Sequence, residues 1–493
     1  MKAMSRANII SACLLLLVCE PVLAGDAVRP DLDAKTLARV RAVVRPASDF
    51  SKAEQFELMQ GGATTQTERF DHDAFSLPAA NLSFSGRSDF SVGNGVFRKL
   101  WVAAPSSTTA SDGLGPLFNA RGCQNCHLKD GRGHPPEPGA AKPAESFILG
   151  LSVPGAGAAP EPVYGSQLHD FAVPGLPAEG RVRVTYSERK VELAGGEQAS
   201  LRVPHYEVVE LGYGPMRSDT MISPRVAPQM IGLGLIEAIH DNDLLAKADP
   251  DDADGDGISG RVSRTDQVNR YGSNIGRFGV KASKPGIREQ SAGAFAADMG
   301  LSTPLVNLPH GDCTPAQRAC MAAATGAEEA GYEVPQELLD LVEFYSQHLA
   351  VPARRDVTDP QVLRGKELFY GIGCISCHTP KYVTTNDKAV PESLRKQLIW
   401  PYTDVLLHDM GEGLADHRPQ GSADGREWRT PPLWGIGLTQ AVSGHSYYLH
   451  DGRARNLLEA VLWHGGEAQN ARDAVVALAA EDRTALLRFL GSL

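Results

Sequence analysis

The chain of 493 residues is long enough for two or three domains, each with its own buried core. Its 42% hydrophobic and 22% charged residues are typical of a soluble globular protein. The net charge of −11 and the lack of a basic cluster argue against nucleic acid as a partner.

Residues 1–24 have the features of a secretory signal peptide. An apolar run follows Lys2 and Arg6, and Ala24 offers a small residue at the cleavage point. The run is shorter than the roughly 20 apolar residues that a membrane span requires. We therefore expect an exported, periplasmic protein without a membrane span.

The rest of the chain divides into regions of different composition. Residues 25–85 are polar with modest helical periodicity, and we interpret them as an N-terminal leader. The first main unit, residues 86–355, includes a β-rich insertion at about 146–215, where alternating runs flank a Gly-Gly turn. Helical periodicity then resumes. A stretch rich in proline and charge near residue 355 precedes the second unit, residues 356–493.

The pattern CxxCH occurs twice, as CQNCH at residues 123–127 and as CISCH at residues 374–378. In c-type cytochromes the two thiols of such a motif bond to the vinyl groups of one haem, and the histidine binds its iron as the proximal ligand. Neither copy has the βαβ context of a thiol–disulfide enzyme. A zinc site would need further Cys or His ligands. The motifs predict two covalently bound haem c groups, held by Cys123, Cys126, His127, Cys374, Cys377 and His378.

Two further cysteines, Cys313 and Cys320, lie outside these motifs and outside the signal segment. They are close in sequence, and an exported protein folds in an oxidising compartment. We therefore expect them to form a structural disulfide. Every cysteine that remains after removal of the signal peptide then has a partner.

An acidic loop with the sequence DPDDADGDGISGR is similar to the start of an EF-hand. Asp252, Asp254 and Asp256 alternate before Gly257, so that three carboxylates could face one hard cation. The glutamate expected later in such a loop is absent, since Ser263 occupies its place. The sequence leaves two possibilities, a calcium site and a solvated acidic loop.

The two units share a weak internal repeat. Arg225–Leu235 (RVAPQMIGLGL) resembles Arg429–Leu438 (RTPPLWGIGL), although the two lengths differ by one residue. Chance similarity is the alternative, because Gly, Arg and Leu are common residues. The doubled CxxCH motif favours duplication.

Longer motifs resemble one family. The stretches GCQNCHLKDGRG, DADGDGISGRV, GRFGVKA, CISCHTPKY, EWRTPPLWGIG and LHDGRARNLLEAV are together similar to those of the di-haem oxidoreductases, also called thiol oxidoreductases. These proteins are related to the bacterial di-haem cytochrome c peroxidases, which bind calcium between their domains. The resemblance implies a mainly α fold with two cytochrome c-type haem domains and a β-rich insertion in the first. It covers nearly all of the chain after the signal, apart from parts of the leader and the insertion.

The resemblance also suggests the sixth iron ligand of the second haem. In the peroxidases a segment similar to HDGRARNLLEAVLWH supplies a methionine, and here that position holds His464. We therefore expect His378 and His464 to form a bis-histidine site with a lower potential than a methionine-ligated one. Met410, Tyr447 and Tyr448 remain alternative ligands.

The first haem lacks an equivalent histidine. Aligning Glu289 with Glu459 places Ala294 at the position that His464 occupies in the second unit. An open distal face would admit peroxide or dioxygen. Two other residues could close this face instead, namely His134 and Met216.

Cleavage of an O–O bond requires an acid–base group over the iron, and Gln290 and Asp298 are the candidate catalytic residues. Both could equally be polar residues on a helix surface. The sequence thus predicts an exported di-haem enzyme that receives electrons from a small redox protein at the bis-histidine haem and reduces peroxide at the other. The rival hypotheses are a di-haem oxidase or oxygenase with another substrate, and a non-catalytic cytochrome that serves electron transfer or metal uptake.

Overall fold

The computed structural model describes residues 28–139, 144–155, 158–327 and 331–493. The signal peptide predicted at residues 1–24 lies outside these ranges. Within them, no helix is both long enough and apolar enough to cross a membrane.

Short helices and short strands alternate along the described ranges. The α-helices are α1 (Ala34–Val43), α2 (Phe84–Phe97), α3 (Cys123–Cys126), α4 (Leu233–Glu237), α5 (Asp241–Leu245), α6 (Ile287–Met299), α7 (Arg318–Met321), α8 (Gln336–Gln347), α9 (Pro360–Gly371), α10 (Thr439–Ser443), α11 (Leu457–Leu462), α12 (Gln469–Ala477) and α13 (Ala480–Ser492). The strands are β1 (Leu117–Phe118), β2 (Phe147–Ser152), β3 (Gln167–Leu168), β4 (Phe171–Ala172), β5 (Arg181–Glu192), β6 (Gln198–Val209), β7 (Met221–Val226), β8 (Tyr382–Val383), β9 (Leu398–Ile399), β10 (Leu407–Asp409) and β11 (Glu427–Arg429).

The prediction of a mainly α chain is wrong. Of the described residues, only 29% are helical, and 16% are in strands that form several small sheets. The chain contains 50 glycines and 33 prolines, and both residue types are unfavourable inside helices. Long connections therefore separate the helices, and isolated β-bridges and short strands hold these connections together.

Two sheets account for most of the strand residues between 147 and 226. Strand β2 lies between β3 and β7, with Phe147 opposite Val226 and Ser152 opposite Met221. Strands β5 and β6 form a long antiparallel hairpin of their own. Beyond the ends of β2 and β7, the Ala227 amide donates a hydrogen bond to the Ser146 carbonyl (3.0 Å). This bond brings the chain after β7 towards the first CxxCH motif.

Two helix pairs cross in the same manner. Gly93 of α2 lies against α8, where an added Cβ would be 2.4 Å from the Leu341 carbonyl oxygen. Gly365 of α9 lies against α13, where an added Cβ would be 2.0 Å from the Ala485 carbonyl oxygen. Only glycine allows such close approach of two helix backbones. One helical turn after each glycine comes a buried phenylalanine, Phe97 in α2 and Phe369 in α9.

The two copies of the weak repeat contact each other reciprocally. An added Cβ at Gly232 would meet the Trp434 ring at 2.4 Å, and one at Gly435 would meet the Ile231 side chain at 2.5 Å. Both glycines have positive φ, 69° and 76°. Since Ile231 aligns with Trp434, and Gly232 with Gly435, one contact occurs twice in opposite directions. This reciprocity favours duplication over chance similarity.

The six cysteines of the described ranges fall into two classes. Cys313 and Cys320 form a disulfide bond across the loop that leads into α7. The four cysteines of the CxxCH motifs are not bonded to one another. They are therefore available for another covalent partner.

Candidate functional site

The first CxxCH motif begins with the single helical turn α3. This turn carries both thiols, and His127 follows it directly with φ −107° and ψ 57°. The His127 Nδ1–H donates a hydrogen bond to the Pro228 carbonyl oxygen (2.8 Å), since a carbonyl can only accept. Burial lowers the pKa of His127 to about 4, so the imidazole is neutral. A neutral ring with Nδ1–H fixed by a carbonyl has Nε2 free to bind a metal.

The second motif has the same arrangement. The His378 Nδ1–H donates a hydrogen bond to the Tyr402 carbonyl oxygen (2.9 Å), and burial lowers the pKa of His378 to about 4. A phenylalanine ring lies next to each histidine, with ring centroids 6.3 Å apart for Phe97 and His127 and 6.0 Å apart for Phe369 and His378. The two crossing helix pairs thus present equivalent aromatic walls to the two motifs.

The thiols are unsuited to nucleophilic redox chemistry. Burial raises the pKa of Cys123 to about 12, and the nearby charge of Asp298 adds to this effect. Burial likewise raises the pKa of Cys374 to about 12. Reactive cysteines require the opposite shift, which stabilises the thiolate. The residues of both motifs therefore fit a haem held by two thioethers and one imidazole better than a dithiol switch.

His464 lies beside the second motif. It directly follows Trp463, the residue that caps α11, and its Nδ1–H donates to the Ala460 carbonyl oxygen (2.8 Å). The pKa of His378 depends first on burial and then on its hydrogen bond to Tyr402. The nearby His464 lowers this pKa further. The two imidazoles therefore share one environment, and each has its Nδ1 engaged by a carbonyl.

The alternative ligands of the second haem lie in different surroundings. The Tyr448 hydroxyl donates to the Ile436 carbonyl oxygen (3.2 Å), and the Tyr447 ring stacks on His445. Met410 packs in the apolar cluster that contains Trp428 and Trp463. Among these residues, the structure brings His464 into electrostatic contact with His378.

Helix α6 carries the residues predicted for the distal side of the first haem. Asp298 accepts a hydrogen bond from the Gln167 amide (2.8 Å), and burial raises the pKa of its carboxyl. Burial is the main cause of the raised pKa of Cys123 and Cys126, and the charge of Asp298 is the second cause. Asp298 therefore lies next to the first motif. Ala294 lies one helical turn before it. Gln290 is exposed to solvent.

The surroundings of Asp298 include residues that the sequence did not reveal. Gln167 also donates to the Asn119 side-chain oxygen (2.8 Å). Behind them, His169 and Glu179 form a fully buried pair (2.8 Å). Although burial alone lowers the pKa of His169, Glu179 raises it to about 9. Gln167, His169 and Glu179 belong to the β-rich insertion, and no motif marked them.

The two residues proposed to close the first distal face lie in other contacts. The His134 ring meets the His445 ring edge-on at 5.5 Å, and its Nδ1 contacts the Pro135 carbonyl (2.9 Å). Met216 packs against the apolar cluster of the insertion that includes Leu149 and Leu151.

A second residue beside the second motif was also missed. His408 is buried between Asp404 (2.8 Å to Nε2) and Glu467 (2.6 Å to Nδ1). Its Nδ1 is 3.6 Å from the Cys377 sulfur. Although burial lowers the pKa of His408, the two carboxylates raise it well above its usual value. An imidazole that favours its protonated form thus lies next to Cys377, a cysteine of the second CxxCH motif. The stretch PYTDVLLHDMGEGLAD contains both His408 and Asp404, whereas Glu467 lies 59 residues after His408.

The acidic loop is arranged differently from the predicted triad. Carboxylate oxygens of Asp249, Asp252 and Asp254 lie within 4.8 Å of one another. The Gly257 amide donates to Asp252 (3.0 Å), whereas Asp256 accepts from the Ile258 amide (2.9 Å). Calcium binding at this loop stays a prediction.

One family model, described as "Di-haem oxidoreductase, putative peroxidase", matches residues 56–148 and 167–493. The matched ranges contain both CxxCH motifs, Asp298 and His464. They also contain the whole β5–β6 hairpin. No curated protein matches the chain.

Proposed function

The chain belongs to the di-haem oxidoreductase family, and from this premise we propose that it is an exported c-type cytochrome that reduces peroxide. Cys123 and Cys126 hold one haem, and Cys374 and Cys377 hold the other. Four free, partly buried thiols support covalent attachment, because their raised pKa values disfavour the thiolate that other cysteine chemistry needs. His127 and His378 are the proximal ligands.

The observation that carries the proposal is the difference between the two distal sides. His464 lies in the environment of His378, whereas Ala294 aligns with it in the first unit and cannot bind iron. A partly buried carboxyl, Asp298, lies near the first motif instead. A haem with two histidine ligands serves electron transfer, and one with an available position can react.

Each centre then has its own task. A haem bound in this way supplies the iron that exchanges electrons and meets the oxidant. The reduction of one hydrogen peroxide to two waters takes up two electrons and two protons. Burial raises the pKa of Asp298 above its ordinary value, which is the direction that a carboxyl acting as a general acid requires. Electrons come from a small redox protein and enter at the His378/His464 centre.

Export accounts for the cysteine chemistry. Residues 1–24 have the pattern of a signal peptide. The Cys313–Cys320 disulfide is stable in an oxidising compartment such as the periplasm. Calcium at the acidic loop is a further expectation of the same proposal, and isothermal titration of the metal-free protein with Ca²⁺ tests it.

Spectroscopy and turnover of the mature holoprotein test the function. We expect one low-spin and one high-spin haem in the oxidised protein, with cyanide changing only the high-spin component. Asp298→Asn should lower peroxide turnover by about 10²–10⁴-fold, the usual contribution of a general acid–base group. Glu337→Gln, at an exposed position of α8, is the matched control. If both haems are low-spin and neither cyanide nor peroxide alters the spectrum, the protein is an electron carrier and the proposal is wrong.

A further inference from the structure

The β5–β6 hairpin of the first unit docks on the segment that carries His464. The Arg202 side chain donates to the Gly452 carbonyl (2.8 Å), and at the hairpin tip the Ala194 amide donates to the Val476 carbonyl (2.9 Å). Leu193 and Leu201 are buried in the cluster around Trp463. Apolar burial and buried hydrogen bonds together make this a fixed contact.

Trp463 is the centre of this contact. It immediately precedes His464 and is 4% exposed. The guanidinium groups of Arg189, from the hairpin, and Arg453 lie over its ring, 4.6 and 4.7 Å from the ring centroid. Arginine over an indole gives a cation–π attraction, and its aliphatic stem adds packing.

The position of Trp463 determines that of His464 through the backbone. The Trp463 amide donates to the Glu459 carbonyl (3.0 Å), and the His464 amide to the Val461 carbonyl (3.1 Å). The His464 ring is oriented by its bond to the Ala460 carbonyl (2.8 Å). Indole and imidazole therefore lie on one short turn at the end of α11. If Trp463 shifts, His464 shifts with it.

We propose that Arg189, acting through Trp463, is a positioning residue that keeps His464 on the iron of the second haem. This inference rests on the proposed function, because it takes His464 as the axial ligand. The β-rich insertion of the first unit then has a definite role in the second: with haem bound, it would hold His464 in place to bind that iron. Peroxide and other small ligands are excluded from the second haem and are left to react at the first.

The experiment compares holoprotein variants by the binding of cyanide to the second haem. Arg189→Ala should raise the apparent cyanide affinity of that haem about two- to fivefold, which corresponds to about 0.5–1 kcal/mol of cation–π attraction at an exposed cation. Arg189→Lys keeps a cation and should restore most of the wild-type behaviour. The matched control is Arg183→Ala, on the same hairpin, whose exposed partner is Glu207.

Two further variants separate the possible failures. Trp463→Phe keeps an apolar ring with weaker cation–π attraction, so it should also raise the cyanide affinity of the second haem. If Arg189→Ala does not fold, Trp463→Phe tests the positioning role in its place. His464→Met should raise the reduction potential of one haem only. If it changes neither potential, the axial assignment of the proposed function is wrong. If it does shift one potential while Arg189→Ala and Trp463→Phe bind cyanide like Arg183→Ala, only the positioning role is overturned.

Discussion

Replacing Gly93 by alanine tests the helix crossing that places Phe97 beside the first CxxCH motif. Gly93 is buried in α2, and an added Cβ would lie 2.4 Å from the Leu341 carbonyl oxygen and 2.9 Å from the Tyr345 Cβ. Ordinary contact at such a position begins at 3.4 Å. Helices α2 and α8 would therefore have to separate by roughly 1 Å, as overpacked cores do.

The magnitude follows from two opposing effects. Overpacking a close contact costs about 1–3 kcal/mol. Alanine in place of glycine inside a helix raises the free energy of unfolding by about 0.5–1 kcal/mol. We expect Gly93→Ala to lower the free energy of unfolding by about 1–2 kcal/mol, which corresponds to a fall in Tm of about 2–4 °C per kcal/mol in a domain of 150–250 residues.

Thermal unfolding followed by circular dichroism at 222 nm measures the effect. The matched control is Gly95→Ala, two residues further along α2, where no atom of the described residues outside the neighbouring backbone of α2 lies within 4 Å of the added Cβ. That variant gains helix propensity without a clash, so its Tm should rise. If Gly93→Ala is as stable as the wild type, or if both variants move Tm equally in one direction, the described crossing of α2 and α8 is incorrect.

Two further predictions concern buried charges. Lys281 and Asp416 form a fully buried ion pair (2.9 Å). Lys281→Met should therefore lower the free energy of unfolding in urea titrations by about 3–5 kcal/mol, and the double variant with Asp416→Leu should recover part of this loss. A double variant no more stable than the single one would contradict this prediction. Glu179 raises the pKa of His169 from 6.5 to about 9 after burial has lowered it, so this pair stabilises the fold fully below pH 6.5 and loses that contribution as pH rises towards about 9. Unfolding free energies at pH 6 and pH 10 should therefore differ more in the wild type than in His169→Gln, and equal differences would refute the assignment.

The sequence predicted local chemistry better than fold class. The CxxCH motifs are read from five consecutive residues, and the disulfide joins cysteines only seven positions apart. The long hairpin followed from alternating side chains around the Gly-Gly turn. The mainly α prediction failed because glycine and proline are spread through connections that tertiary contacts, rather than local preference, hold in place.

The site shows the same division. Asp298 was recognised as a candidate from its helix, but its partner Gln167 is 131 residues away in sequence and carries no motif. The acidic loop was found from the alternation of its aspartates, yet the loop closes so that Asp249 joins Asp252 and Asp254 while Asp256 turns to the Ile258 amide. Alternation along a chain does not determine where a loop folds back.

The sequence by itself predicted which residues would hold two haems, since thioether attachment and proximal ligation need only two cysteines and a histidine within one turn. Only the tertiary structure decided what surrounds each centre. It placed Asp298 beside the first motif and the Arg189 hairpin over Trp463 beside the second. These contacts join residues that are distant along the chain, and burial, which sets their pKa values, exists only after the chain has folded.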